Sequence, residues 1–171
     1  MFFKTKKSKE IYSLVIAHRG FHISCPENTY SSFKEAIKNN MAIETDIRIT
    51  KDNILVCFHD RYLKRLLGVK GKIKYLTYND LNKLNIKGSC EKVPKLLDVL
   101  NMVDGRVVLL LEIKGNINKE VKKQLCKLLN EYNGKVYFHV KNIITYFYYR
   151  KIFKNRIFFV LNPLRKRFRF V

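Results

Sequence analysis

Three short fragments set histidines and carboxylates at close intervals: Ala17-His18-Arg19-Gly20 with Pro26-Glu27-Asn28-Thr29, then Ile43-Glu44-Thr45-Asp46, then Phe58-His59-Asp60. A fourth, running from Val107, ends in Glu112-Ile113-Lys114. Side chains alternate along a strand, so Glu44 and Asp46 share a face, as do Glu112 and Lys114. Three carboxylates able to converge repel one another unless a hard divalent cation, Mg²⁺ or Ca²⁺, sits between them. Lys114 and Arg19 beside them suit an anionic phosphoryl oxygen. His18 and His59 titrate near neutrality; one can activate an attacking oxygen while the other protonates a departing alkoxide, in either assignment. Cleavage of a phosphodiester needs such a set, with the cation adding charge stabilisation.

The apolar pattern supplies the scaffold for these groups. Each fragment closes a short apolar run, at residues 14–17, 41–49, 54–58 and 107–113. The polar groups then stand at strand ends, where helix-covered parallel sheets keep their chemistry. Tyr30, Phe33, Ala36 and Ile37 fall at helical spacing after the first strand, with Asn28-Thr29 as cap and Asn39-Asn40 as stop. Pro94 opens a helix through Val99 and Met102, and residues 118–133 form an amphipathic helix with Val121, Leu125, Leu128 and Leu129 on one face. Residues 136–140 and 157–161 read as fifth and sixth strands around a helix at 143–153. Between Arg61 and Glu91 the periodicity lapses, an excursion above the strand ends with a capping box at residues 77–80. Alternating strands and helices predict an α/β fold with a parallel sheet.

At 171 residues with 47% hydrophobic content, the chain has material for one cored domain. Its four cysteines lie far apart, which predicts reduced thiols and a cytoplasmic setting rather than a disulfide framework or a zinc site. Neither a signal peptide nor a membrane-spanning helix is expected. The net charge is +21, and residues 135–171 hold ten of the 35 Lys/Arg and no Asp or Glu. That charge favours phosphate-bearing partners, including peripheral contact with an anionic membrane through the basic C-terminal segment. No nucleic-acid fingerprint accompanies it, so nucleic acid is not an expected partner. His22 reads as a residue of the rim or one that supports the site from behind, and His139 as a strand histidine satisfied by its neighbours. Asp60 either orients a ligand or caps a loop, and Cys57 is a packed thiol.

The order of these fragments resembles the glycerophosphodiester phosphodiesterase family. Its HRG, PENT, E-x-D, HD and E-x-K motifs match His18-Arg19-Gly20, Pro26 to Thr29, Glu44-Thr45-Asp46, His59-Asp60 and Glu112-Ile113-Lys114, and Val93 to Leu96 matches its link into a later helix. The resemblance, from about Leu14 to Lys114, implies a (β/α)₈ TIM-type barrel. It also implies His18 and His59 as acid/base pair, Arg19 and Lys114 as phosphate ligands, Glu44, Asp46 and Glu112 as ligands of Mg²⁺ or Ca²⁺, and Glu27 as a supporting residue. The implied reaction converts a small glycerophosphodiester to glycerol 3-phosphate and an alcohol. Two departures stand out: residues 1–171 read as a single domain truncated after about six strands, and the fifth strand lacks the Ser-Phe pair expected there. Open barrel edges would invite a homodimer. Two other readings are a lysophospholipase D-like lipid phosphodiesterase and an inactive barrel that binds phosphate or a second protomer.

Overall fold

The computed structural model describes residues 14–140, 143–153, 157–159 and 169–170. Strand β1 is Val15–His18, and the chain turns out of it where the Gly20 N–H donates to the Ala17 carbonyl. Thr29 caps α1 (Tyr30–Lys38): its hydroxyl accepts from the Ser32 N–H while Ser32 Oγ accepts from the Thr29 N–H, a capping box closed by serine. Phe33 and Ala36 are the buried face of α1, as their spacing predicted.

Strand β2 (Ala42–Ile49) outruns its neighbours. Its first residues pair in parallel with β1, whereas Ile47 to Ile49 pair antiparallel with β3 (Leu55–Cys57). The third apolar run is therefore the return arm of a hairpin, which corrects its reading as a further strand of the βα series. The reason is length: residues 50–54 are too few for a parallel crossover, which needs about a dozen.

The excursion that follows is ordered around its own small core. It contains α2 (Lys64–Leu67), a 3₁₀ turn at Ile73–Tyr75 and α3 (Tyr78–Asn82), the last capped by Thr77 as predicted. Val56, Phe58, Leu63, Leu67, Ile73, Leu81, Ile86 and Val93 are buried together beneath it. Apolar residues spread over short turns carry no single period, so this core was not legible from periodicity.

The βα rhythm then resumes through α4 (Leu96–Val103), β4 (Leu109–Ile113), α5 (Lys119–Glu131), β5 (Val136–Val140), α6 (Ile143–Phe153) and β6 (Ile157–Phe159). A further strand, β7 (Arg169–Phe170), pairs in parallel with β1. It was not expected, and it covers an edge of β1 that the sequence reading left open. The sheet order is β6-β5-β4-β2-β1-β7, with β3 attached to β2. Every ladder except β2–β3 is parallel, and among the described residues none joins β6 to β7. The architecture is thus part of a (β/α)₈ barrel.

Alternation assigns the two faces of the sheet. Ala17, Ile43, Leu109, Leu111, Phe138 and Val140 pack outward against α1, α4, α5 and α6 in the main core, where Phe138 stacks on Phe153 with ring centroids 4.1 Å apart. The opposite face carries His18, Glu44, Asp46, Glu112 and His139. All four cysteines are free thiols. No described helix is long and apolar enough to cross a membrane. The expectation of membrane contact falls largely on residues 154–156 and 160–168, outside the described residues.

Candidate active site

Strand register decides which side chains meet. His18 lies opposite Glu44, Asp46 lies opposite Glu112, and Leu111 opposite Phe138 sets Glu112 beside His139 one step further along. Glu44 and Asp46 have side chains only 2% exposed, a costly placement for carboxylates without cationic partners. Lys114 supplies one partner: its Nζ is 3.0 Å from Asp46 Oδ1 and 2.5 Å from Glu112 Oε1. Burial alone would lower the Lys114 pKa, but the charge of Asp46 and the hydrogen bond to Glu112 outweigh it and raise the pKa above the ordinary lysine value.

Arg19 supplies the other. Its backbone sits in the left-handed region at φ 58°, which turns its N–H onto Glu44 Oε2 at 3.1 Å. Its guanidinium lies 3.4 Å from Asp46 Oδ2 and donates to Glu27 Oε1 at 3.0 Å. The next residue must be glycine: at φ 81°, a Cβ on Gly20 would stand 2.4 Å from Ser32 Oγ and 2.9 Å from the Ser32 carbonyl carbon. Buried Asn28, also left-handed at φ 54°, ties three motifs together. Its amide donates to Asp46 Oδ2 at 3.3 Å and accepts from the Thr45 hydroxyl at 2.7 Å, while its backbone N–H donates to the Arg19 carbonyl.

His59 arrives from the hairpin. Arg48 grips its carbonyl with two donors, and its Nδ1 lies 2.8 Å from Asp60 Oδ1. Arg65, from α2, forks onto Asp60 through Nε and a terminal nitrogen, and onto both oxygens of Glu27. The hydrogen bonds from Arg65 hold the Asp60 pKa down at about 2. Burial pushes the Glu27 carboxyl up, yet Arg65 and Arg19 together keep it below the usual range. The relay His59–Asp60–Arg65–Glu27–Arg19 thus connects the second histidine to the carboxylate cluster.

His139 breaks its expectation. Its Nδ1 is buried without a hydrogen bond, 3.5 Å from Glu112 Oε2 and 3.9 Å from Glu44 Oε1. One donor atom from each of Glu44, Glu112 and His139 lies within 4.8 Å of the others. Converging carboxylates plus an orphaned buried nitrogen fit a divalent cation. His18 stands at the rim of this cluster, Nε2 3.9 Å from Glu44 Oε2.

A profile of the glycerophosphoryl diester phosphodiesterase family matches residues 18–159. The chain belongs to that family. Among its glycerophosphodiester phosphodiesterase relatives is one from Caldanaerobacter subterraneus subsp. tengcongensis, 34% identical over 131 residues that cover 71% of this chain and 54% of the relative. The glycerophosphodiester phosphodiesterase structure from Thermotoga maritima superposes with a TM-score of 0.70 at 26% identity, covering 86% of this chain and 61% of that one. A phosphodiesterase from Oleispira antarctica, solved in complex with the product sn-glycerol-3-phosphate, superposes at 0.76 and 23% identity, covering 90% of this chain and 71% of that one. The chain spans about half the length of the curated glycerophosphodiester phosphodiesterase relatives it matches.

In this family member, one web holds the motif residues His18, Arg19, Glu27, Glu44, Asp46, Glu112 and Lys114, and the relay links His59 to it. His22 is exposed outside it. Burial drives the Cys57 thiol up to about 12, as suits a packed, unreactive sulfur. Sequence reasoning missed Asn28 as more than a cap, Arg65 inside the aperiodic excursion, and His139. The one available signal for His139 was parity: it alternates with Phe138, as Glu112 does with Leu111.

Proposed function

We propose that the chain hydrolyses glycerophosphodiesters to glycerol 3-phosphate and an alcohol, assisted by a divalent cation beside Glu44 and Glu112, with Asp46 opposite Glu112 in the ladder. The observation that carries this reading is the Lys114 bridge between Asp46 and Glu112, set on the same face as His18 and its partner Glu44. Carboxylates crowded at a phosphate site repel the ligand unless a cation lies between them, and such a cation would also polarise the phosphoryl group toward attack. The family's motif order and the product-bound Oleispira relative support the substrate class.

The residues divide the work. Arg19 and Lys114 attract and orient the anionic phosphoryl group, and Glu27 steadies Arg19 from its other side. When bound, the cation supplies positive charge to the phosphoryl oxygens. One imidazole of the His18/His59 pair takes the proton of the attacking hydroxyl, from water or from the adjacent glycerol hydroxyl, and the other returns a proton to the departing alkoxide. Asp60 accepts at Nδ1 of His59, which leaves Nε2 to exchange the proton.

The test is release of glycerol 3-phosphate from glycerophosphocholine and glycerophosphoethanolamine, with divalent cations or EDTA, beside His18→Ala and His59→Ala. Cation-dependent release lost in both variants is expected. Turnover of lysophosphatidylcholine vesicles alone would transfer the activity to lipid substrates. Phosphate binding without turnover by the folded, cation-loaded protein would overturn the hydrolase.

A further inference from the structure

We infer that His139 is a metal ligand, so that this chain holds a zinc-type transition ion through a mixed nitrogen–oxygen set, Glu44, Glu112 and His139, rather than Mg²⁺ or Ca²⁺ through oxygens alone. The inference rests on the proposed reading of this face as a cation-assisted site, and adds the identity of the cation.

The two carboxylates share their oxygens in a consistent way. Glu44 gives Oε2 to the Arg19 N–H and turns Oε1 toward His139. Glu112 gives Oε1 to Lys114 and turns Oε2 toward His139. Separations of 3.5 and 3.9 Å exceed hydrogen-bond contact but suit ligands of one ion. Two donors bound at about 2.1 Å in tetrahedral geometry stand about 3.4 Å apart. The Nδ1 that faces them has no hydrogen bond of its own. A buried imidazole nitrogen left in that position costs free energy unless something positive, a proton or a metal, joins it to the carboxylates.

Donor chemistry then selects the ion. Mg²⁺ and Ca²⁺ take oxygen ligands, whereas imidazole suits zinc and its neighbours. Three protein donors with a position left open is also the pattern of catalytic zinc sites. Asp46, paired with Lys114 and Arg19, stays outside the cluster of three.

Almost any such site prefers Zn²⁺ to Mg²⁺ to some degree, so the decisive quantity is how much of that preference depends on His139. Zn²⁺, Co²⁺, Mg²⁺ and Ca²⁺ are titrated separately into the wild type, His139→Ala and His139→Asn, by calorimetry and, for Co²⁺, by its visible absorption. Both variants should lose Zn²⁺ and Co²⁺ affinity by roughly 10–100-fold or more, the loss expected for even an outer-shell partner, with Mg²⁺ and Ca²⁺ affinities changed far less. X-ray absorption at the zinc edge of the wild type should show imidazole in the shell, a measurement that needs no variant. Equal Zn²⁺ affinity in folded variants, or a zinc shell without imidazole, overturns the assignment. Imidazole-dependent zinc binding without glycerophosphodiester turnover would sink the proposed reaction and leave this site standing. Turnover with Mg²⁺ that ignores His139 would do the reverse.

Discussion

Arg65 holds Asp60 through both carboxylate oxygens, Nε to Oδ2 at 2.6 Å and a terminal nitrogen to Oδ1 at 2.9 Å, and Asp60 in turn lies 2.8 Å from Nδ1 of His59. A residue from the aperiodic excursion thereby fixes the ring of a candidate catalytic histidine. The physical advantage is geometric: a planar guanidinium spans two acids at fixed angles, which a lysine does not.

Arg65→Ala should lower kcat by about 10–100-fold, as loss of an orienting partner does elsewhere, with a smaller change in KM. Arg65→Lys should rescue only part of it. The measurements are kcat, KM and the pH–rate profile on glycerophosphocholine. Activity falling only in step with the folded fraction, at an unchanged pH profile, would reduce Arg65 to a structural clasp.

The same contact predicts an acid limit to stability. In the folded protein Asp60 titrates at about 2, whereas an unfolded aspartate titrates at about 3.9. Between those values the unfolded chain binds more protons, so the contribution of Asp60 is complete above about pH 4 and is lost as pH falls toward 2. Denaturant midpoints measured against pH should fall less steeply through that window in Arg65→Met. Parallel curves for the two proteins would refute the linkage.

Asn28→Ala should cost about 1–3 kcal/mol, because the Thr45 hydroxyl loses its buried acceptor, with added strain from alanine at a positive φ. Asn28→Gly relieves the strain but still lacks both side-chain hydrogen bonds. Both should impair turnover by releasing Asp46. Chemical denaturation with parallel assays separates the effects, and wild-type activity in Asn28→Gly would remove Asn28 from the site.

Phe138 stacks on Phe153 and lies next to His139 on β5. Phe138→Ala should destabilise the protein by about 3–5 kcal/mol, the usual cost of emptying a buried aromatic site. A thermal melt is sufficient to check it. A loss below about 1 kcal/mol would mean that α6 contributes little to holding β5.

Much of this protein was legible one residue at a time. The identities of β1, β2, β4, β5, α1, α4 and α5 followed from apolar period, the caps at Thr29 and Thr77 from residue type, and the placement of Glu44 beside Asp46 from alternation within one strand. The hairpin of β3 was misread although the five-residue link already forbade a crossover. Apart from the Thr77 cap, residues 61–91 were illegible because short turns bury apolar side chains without a repeating interval.

Local chemistry is a property of the chain alone: which acids, imidazoles and cations exist, and which of them share a strand face, since alternation belongs to one chain segment. Which of them meet depends on how the strands and loops pack. Register between β4 and β5 sets His139 beside Glu112, and the folding of the excursion brings Arg65 onto Asp60 and Glu27. Sliding a strand by one residue would turn its side chains to the other face without changing a letter of the sequence. Contacts across strands therefore belong to the packing that selects one register, the burial of Leu109, Leu111 and Phe138 against the helices.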